Sequence, residues 1–272
     1  TDGDPFRLLA AVGAYEHDAA RGNGAAFCSA HYVRAKAMDE IHKLRAQLGN
    51  LLLANLAGVG EKDAQRLHDP QLAPPNTVQC KVLRQLLTAA FVDRVAVRAD
   101  VVGAPEAEER ATGGKLTSTR GVPYVALGVP GAVYIHPSSA LYGRPPPEWL
   151  VFGEVHQSAP KLAAPDDDTP PPRVWLKTLT RINPAWLATL GRTLCTFSQP
   201  VEVGGGGVLG QLAQSTQALK RGAQQSAVRR DVMLTPRYGG SLEDGAAGAG
   251  LGWELPSMRV TQELRGGRWE TV

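Results

Sequence analysis

Gly131-Ala-Val-Tyr-Ile-His-Pro-Ser-Ser-Ala-Leu-Tyr142, followed by Glu148-Trp-Leu-Val-Phe-Gly-Glu154 and later by Ile182-Asn-Pro-Ala-Trp-Leu187, is the stretch whose reading decides the fold. Val133, Ile135, Leu141, Leu150, Val151, Phe152 and Val155 are β-prone, and each run is short and bounded by glycine or proline. Short strands separated by turn residues predict a barrel or a sandwich. Proline has no backbone donor and pushes the residue before it into extended geometry, so His136-Pro137 ends a strand. Ser138 and Ser139 follow at the turn. Their hydroxyls and His136 have two readings: contacts to a phosphate or sugar edge, or satisfaction of local backbone groups.

A second run, Arg173-Val-Trp-Leu-Lys177-Thr-Leu-Thr-Arg181, alternates as a strand does and puts Arg173, Trp175, Lys177, Leu179 and Arg181 on related sides. Lys177 and Arg181 there face either RNA or solvent alone. Trp149 and Phe152 read as barrel core, and Tyr134 and Tyr142 as the better candidates for an exposed aromatic. A hairpin is expected at Val129-Pro-Gly131.

Upstream, Asp4-Pro5 can open a helix, with the aspartate as cap and proline in the first turn. A second helix is expected from about Ala26 to Tyr32 and a third from about Lys36 to Leu56. The third has Met38, Ile41, Leu44, Leu48, Leu51 and Leu52 on one face, expected to be core. Lys43 and Arg45 read as a solvated face with Asp39. Arg34 and Lys36, at the entry to that helix, read equally as phosphate contacts or as solvated charge. Residues 57–77 read as a linker, and Val78 to Arg98 as another helix.

The order Val-Tyr-Ile-His-Pro-Ser-Ser, Glu-Trp-Leu-Val-Phe-x-Glu, Asn-Pro-Ala-Trp-Leu resembles the C-terminal oligonucleotide-binding fold of DEAH/RHA-type RNA helicases. Phe27-Cys-Ser-Ala-His-Tyr-Val-Arg34-Ala-Lys36-Ala-Met38-Asp-Glu-Ile-His-Lys43-Leu-Arg45-Ala-Gln47-Leu48 is similar to the end of the helical-bundle, or ratchet, domain that precedes that fold. Leu194-Cys-Thr-Phe-Ser-Gln-Pro200 adds a likeness to the nucleolar branch of the family, which acts on the small-subunit pre-ribosome. The resemblance covers about residues 4 to 56 and 76 to 202, with an echo at Trp253-Glu-Leu-Pro256. It implies an α+β, multi-domain chain: a helical-bundle remnant (1–75), an OB-fold β-barrel (76–202), a Gly/Ala/Gln-rich flexible insertion (203–252) and a C-terminal tail (253–272).

Several functional expectations follow from that resemblance. The parent would be an ATP-dependent RNA helicase of rRNA processing and small ribosomal subunit biogenesis that moves 3′-to-5′ along RNA in the nucleus and nucleolus. ATP and magnesium would be held by upstream motor domains. This region would hold single-stranded RNA, either pre-rRNA or small nucleolar RNA, and contact ribosome-assembly proteins. The ratchet domain helps form the family's RNA channel, which adds weight to Arg34 and Lys36. Ser158 and Lys161 match a Thr/Ser-x-Lys-like segment of the family only with an inserted residue, and Asp166–Asp168 beyond them would repel phosphate. The RNA-binding residues expected are thus Arg34, Lys36, Ser138, Ser139, Lys161, Lys177 and Arg181. The alternative is a docking module of a pre-ribosomal particle that never touches RNA.

The remaining signals exclude more than they assign. Net charge is +3 over 272 residues, mildly basic, and 43% hydrophobic residues can support a core. Cys28, Cys80 and Cys195 are too scattered to suggest a zinc site or a disulfide framework. Gly113-Gly-Lys-Leu-Thr117 lacks the spacing of a phosphate loop, no Asp-Glu-Ala-His is present, and no Gly-x-Ser-x-Gly elbow occurs. Tyr15-Glu-His-Asp18 places its ligand types in different directions around a helix. No catalytic residue, metal or membrane segment is expected, and the chain reads as the C-terminal piece of a longer protein or as a truncated product.

Overall fold

A computed structural model describes residues 2–67, 69, 71, 73–105, 107, 116–158, 172–203, 228–239 and 252–272. Three helices come first: α1 (Asp4–Ala19), α2 (Gly24–Ala30) and α3 (Ala35–Asn55). They meet at a small core of Tyr15, Cys28 and Met38, flanked by Val12, Phe27 and Val33. Glu16 is buried and accepts from His42 Nδ1 (2.9 Å), so the polar run Tyr15 to Asp18 is spent on helix packing. The apolar face of α3 departs from expectation. Only Met38 of it is buried, while Ile41, Leu44, Leu48, Leu51 and Leu52 stay exposed, because the shorter α1 and α2 reach only the start of a 21-residue helix.

The stretch expected as a linker holds a seven-residue helix, α4 (Glu61–Leu67). Next, α5 (Thr77–Ala90) opens with a reciprocal cap: Asn76 Oδ1 accepts from Gln79 N and Gln79 Oε1 accepts from Asn76 N, both at 2.9 Å. The helix ends at Ala90 rather than at Arg98. Val95 and Val97 are β-branched, fully buried, and form strand β1 (Val95–Arg98) instead.

Six more strands complete one sheet: β2 (Tyr124–Ala126), β3 (Val129–Ile135), β4 (Trp149–Val151), β5 (Glu154–Gln157), β6 (Val174–Lys177) and β7 (Thr180–Arg181), in the order β5-β6-β3-β2-β1-β4-β7. The β2–β3 turn falls at Leu127-Gly128, and Pro130-Gly131 bulges within β3, so the expected hairpin sits two residues early. The two ends of the sheet order are one hairpin. β4–β5 and β6–β7 pair antiparallel in a single unbroken register from Leu150↔Arg181 to Gln157↔Val174. Both strands bend together at Gly153 and Thr178. Gly153 N donates to the carbonyls of Lys177 (3.1 Å) and Thr178 (3.2 Å), and Thr178 takes φ +56°. A Cβ on Gly153 would stand 2.9 Å from that of Thr178, so the bend requires glycine.

Since β4 also pairs with β1 and β6 runs parallel to β3, the bent hairpin closes a five-stranded ring. Tyr124, Val133, Ile135, Leu150, Phe152, Leu176 and Leu179 fill it. The run Arg173 to Arg181 is therefore two strands, and Leu179 turns into the core, away from Trp175 and Lys177.

Beneath the ring, α6 (Leu187–Leu190) and α5 cover a second core containing Val97, Trp149, Val151, Leu187, Tyr238 and Leu255. The last two residues come from the region expected to be insertion and tail. Strands β8 (Cys195–Phe197), β9 (Val201–Glu202), β10 (Arg229–Leu234), β11 (Pro236–Tyr238), β12 (Trp253–Glu254), β13 (Met258–Arg265) and β14 (Arg268–Thr271) form two small sheets, β12-β11-β8 and β14-β13-β10-β9. Residues 228–238 and 253–271 thus contribute strands, and residues 204–227 and 240–251 lie outside the described residues. Tyr238 anchors the extension: fully buried, it donates its hydroxyl to Val92 O and stacks on Trp253, which meets Trp149 edge-on at 5.8 Å.

Helices and ring are joined through Asp4. It opens α1 as expected, but its carboxylate does not cap that helix; Oδ1 accepts from Ser139 Oγ (3.0 Å) and Ala140 N (2.6 Å), and Oδ2 from Leu179 N (2.8 Å). Truncation to Asp4→Ala strands these donors and is expected to lower unfolding free energy by about 3 kcal/mol, measured by urea denaturation.

Candidate nucleic-acid interface

Alternation along β3 and β6 sends Val133, Ile135 and Leu176 inward and Tyr134, His136, Trp175 and Lys177 outward. The parallel pairing sets Tyr134 beside Trp175, and the antiparallel pairing of β5 sets His156 on the other side of Trp175 and Glu154 beside Lys177. Tyr134, His136 and Trp175 form a half-buried cluster, with the exposed His156 at its margin. Tyr134 and Trp175 lie 6.0 Å apart, His136 meets Trp175 edge-on at 5.9 Å, and His156 meets His136 at 6.2 Å. Arg173 lies over Tyr134 at 5.2 Å, and Trp175 Nε1 donates to Ser158 Oγ at 2.7 Å, which fixes the indole.

The face combines flat rings with fixed cations. Burial lowers the pKa of His136 from its ordinary value, and nearby Lys177 and His156 lower it further, against a small opposing effect of Asp4. The imidazole is thus neutral near pH 7. Its Nδ1 accepts from Ser138 N (3.1 Å), which leaves the proton on Nε2 as a donor toward the face. A surface of this kind stacks unpaired bases and contacts phosphate.

The residues singled out from sequence are distributed unevenly around it. Lys177 lies on the face, half-buried, and Ser138 at its edge, where its Oγ bonds His136 Nδ1 at 2.7 Å and its carbonyl accepts from Arg7 at 3.0 Å. Ser139 points the other way. It is 7% exposed and its hydroxyl is held between Asp4 and Leu141 N (3.2 Å), so the turn reading applies to it and the RNA contact does not. Arg34 and Lys36 are exposed at the cap and first turn of α3, away from the barrel strands. Lys161 and Asp166–Asp168 lie outside the described residues. Of the two tyrosines, Tyr134 belongs to the cluster, whereas Tyr142 sits under Arg120 at 5.6 Å.

Arg181 belongs to a different place. On β7 it donates from Nε to Asp2 Oδ1 (2.6 Å), and its carbonyl accepts from Arg84 Nε (2.9 Å). Arg84, on α5, stacks over Trp186 at 5.1 Å and approaches Asp2 at 3.8 Å. Lys81 joins them around a cavity of about 540 Å³. Burial pulls the pKa of Arg84 down and Arg181 adds to it, while Asp2 opposes both.

Sequence reading missed Arg173, Trp175 and His156 as members of one face. The alternation of Arg173 and Trp175 is visible in the sequence, but their contact with Tyr134 depends on a parallel pairing about 40 residues apart, and that of Trp175 with His156 on the pairing of β5 with β6. Among the described residues no group of three His, Cys, Asp or Glu side chains could hold a metal ion, and no helix is long and apolar enough to cross a membrane.

Residues 83–194 match the family model of the oligonucleotide/oligosaccharide-binding (OB) fold. The chain is similar to the probable ATP-dependent RNA helicase kurz of Drosophila melanogaster, with 32% identity over 197 residues, 72% of this chain and 15% of that protein. It is also similar to the probable ATP-dependent RNA helicase DHR1 of Saccharomyces cerevisiae (29% over 280 residues; 99% of this chain, 20% of that protein). A third likeness is to the probable ATP-dependent RNA helicase DHX37 of Homo sapiens, 29% over 200 residues, 74% of this chain and 14% of that protein. The chain thus spans a fifth or less of the length of these relatives.

The charge arrangement on the face has a direct readout. An NMR titration is expected to place the His136 midpoint below the ordinary 6.5, and Lys177→Gln to move it upward.

Proposed function

From the premise that the chain is homologous over most of its length to DEAH-box ATP-dependent RNA helicases and carries an OB fold, we propose that it is the RNA-gripping C-terminal region of such an enzyme. Single-stranded RNA lies across the outer face of β3, β6 and β5. Bases stack on Trp175 and Tyr134, Arg173 and Lys177 neutralise phosphates, and Ser138 with the Nε2 proton of His136 contacts sugar or phosphate oxygens. Arg34 and Lys36 extend the contact from outside this cluster, and Lys161, which lies outside the described residues, adds a further cation. The observation that carries the reading is the meeting of Tyr134, Trp175 and His136 at ring separations of 5.9 to 6.0 Å, with Arg173 at 5.2 Å over Tyr134 and Lys177 on the same side of β6, on the outside of a closed barrel.

ATP hydrolysis, with ATP and magnesium, belongs to motor domains elsewhere in the parent protein, and the isolated region turns over no ATP. The parent acts in the nucleolus on pre-rRNA or small nucleolar RNA during small-subunit assembly, together with ribosome-assembly proteins. Support for this narrower role comes from the resemblance of Leu194 to Pro200 to the nucleolar branch.

Fluorescence anisotropy with a labelled single-stranded oligoribonucleotide tests RNA binding. Affinity is expected to fall linearly in a log–log plot against salt. Arg173→Ala with Lys177→Ala flattens that slope by about one to two units, roughly one for each phosphate that is no longer neutralised. Trp175→Ala weakens binding by about tenfold, as loss of one stacked base does. Absence of binding at low salt refutes the proposal and leaves the barrel as a protein-docking module.

A further inference from the structure

One surface lies outside the RNA-binding face and is chemically unlike it. Along α5, Val78, Val82 and Leu86 recur at four-residue spacing and are 69%, 47% and 61% exposed. Val78 lines the basic cavity with Lys81, Arg84 and Arg181. Leu86 lines an apolar groove of about 370 Å³ between α5 and α1, walled by Phe6, Leu9, Leu83 and Leu87. The stripe thus joins a cationic end to an apolar end over about 12 Å, the rise of just over two helical turns.

The basic end has a charge excess. Two arginines share one carboxylate, Asp2, Lys81 lines the same cavity, and Arg84 is withdrawn from water against Trp186. Asp2 shows which group fits: its Oδ1 stands 2.6 Å from Arg181 Nε and 3.8 Å from Arg84 Nη1. The N-terminus of α5 adds the partial positive charge of the helix dipole at the same end. RNA phosphates would satisfy the cations but leave the valine and leucine stripe uncovered. A peptide helix with acidic residues at one end and apolar residues along one side satisfies both.

We propose that α5, with the start of α1, is the docking site for an acidic amphipathic helix of a separate protein. The partner's carboxylates sit by Lys81, Arg84 and Arg181, and its apolar side chains lie on Val82 and in the Phe6–Leu86 groove. Helix-in-groove recognition places such anchors at three- and four-residue spacing. Apolar burial supplies the affinity and the charges set the direction of the bound helix.

The test uses the full chain and a labelled synthetic helix of about 16 residues, with glutamates in its first turn and leucines at three- and four-residue spacing. Saturable binding is expected. It weakens at least about tenfold when the peptide's leucines become serine, or in the chain variant Val82→Asp with Leu86→Asp. Lys81→Glu weakens it as well, and restores affinity for a second peptide with lysines in place of the glutamates. Val82, Leu86 and Lys81 are all surface residues, and circular dichroism melts check that the variants stay folded. The proposal is overturned if the lysine peptide binds the unaltered chain as tightly as the glutamate peptide, or if Val82→Asp with Leu86→Asp leaves binding unchanged. Displacement of the peptide by single-stranded RNA with Arg173→Ala and Lys177→Ala present also overturns it, by assigning the basic cavity to RNA.

Discussion

A single carboxylate, that of Asp4, holds the helical part of the molecule to the barrel. It is buried and accepts from three donors that belong to two separate loops of the ring, Ser139-Ala140 and Leu179. The residues just before it complete the joint. Gly3 bridges Thr180, Arg181 N donates to Asp2 O, and Asp4 N donates to Leu179 O, so the segment runs along β7 as an added strand. A Cβ on Gly3, at φ +144°, would meet the Leu179 carbonyl oxygen at 2.1 Å. A buried carboxylate is tolerable only when its hydrogen bonds are met, and here they are met by the turn and the bend that close the barrel.

The bend at Gly153 and Thr178 sorts the side chains of the ring as well as closing it. By turning Leu179 inward and leaving Trp175 and Lys177 outward, it separates a packed interior from a face of rings and cations. That face is held rigidly on paired strands, with the indole fixed by Ser158 and the imidazole by Ser138. Binding groups set in this way lose little further freedom when a ligand arrives. Arg181, only four residues on, is carried to the opposite edge of the sheet order and into a different cavity, so two cations that look equivalent in sequence serve different surfaces.

The strands after residue 194 broaden the base of the barrel. Tyr238, Trp253 and Leu255 seal the second core beneath Trp149, while β10 and β13 carry charges paired across strands, such as Arg259 with Asp231 and Arg229 with Glu263, and Arg230 of β10 lies over Trp269 of β14 at 4.1 Å. Their low apolar content and glycine-rich surroundings hid them in the sequence. One or two buried residues per strand, such as Val232 in β10 and Tyr238 in β11, give no periodic signal, and what stabilises them is a distant partner.

Local chemistry alone determined the helix starting at Asp4-Pro5, the strand stopped by His136-Pro137, the core placement of Trp149 and Phe152, and the order of motifs that identifies the fold. Each depends on neighbours within a few residues, where backbone sterics and side-chain period act. Tertiary structure decided the rest. It chose strand over helix for Val95 to Arg98 because those valines are buried on both sides, sent Ser139 inward to Asp4, and divided the run from Arg173 to Arg181 between two edges. It left the apolar face of α3 exposed and put Trp175 beside Tyr134. These outcomes follow from pairings between segments 40 to 175 residues apart, which no single stretch of chain encodes by itself.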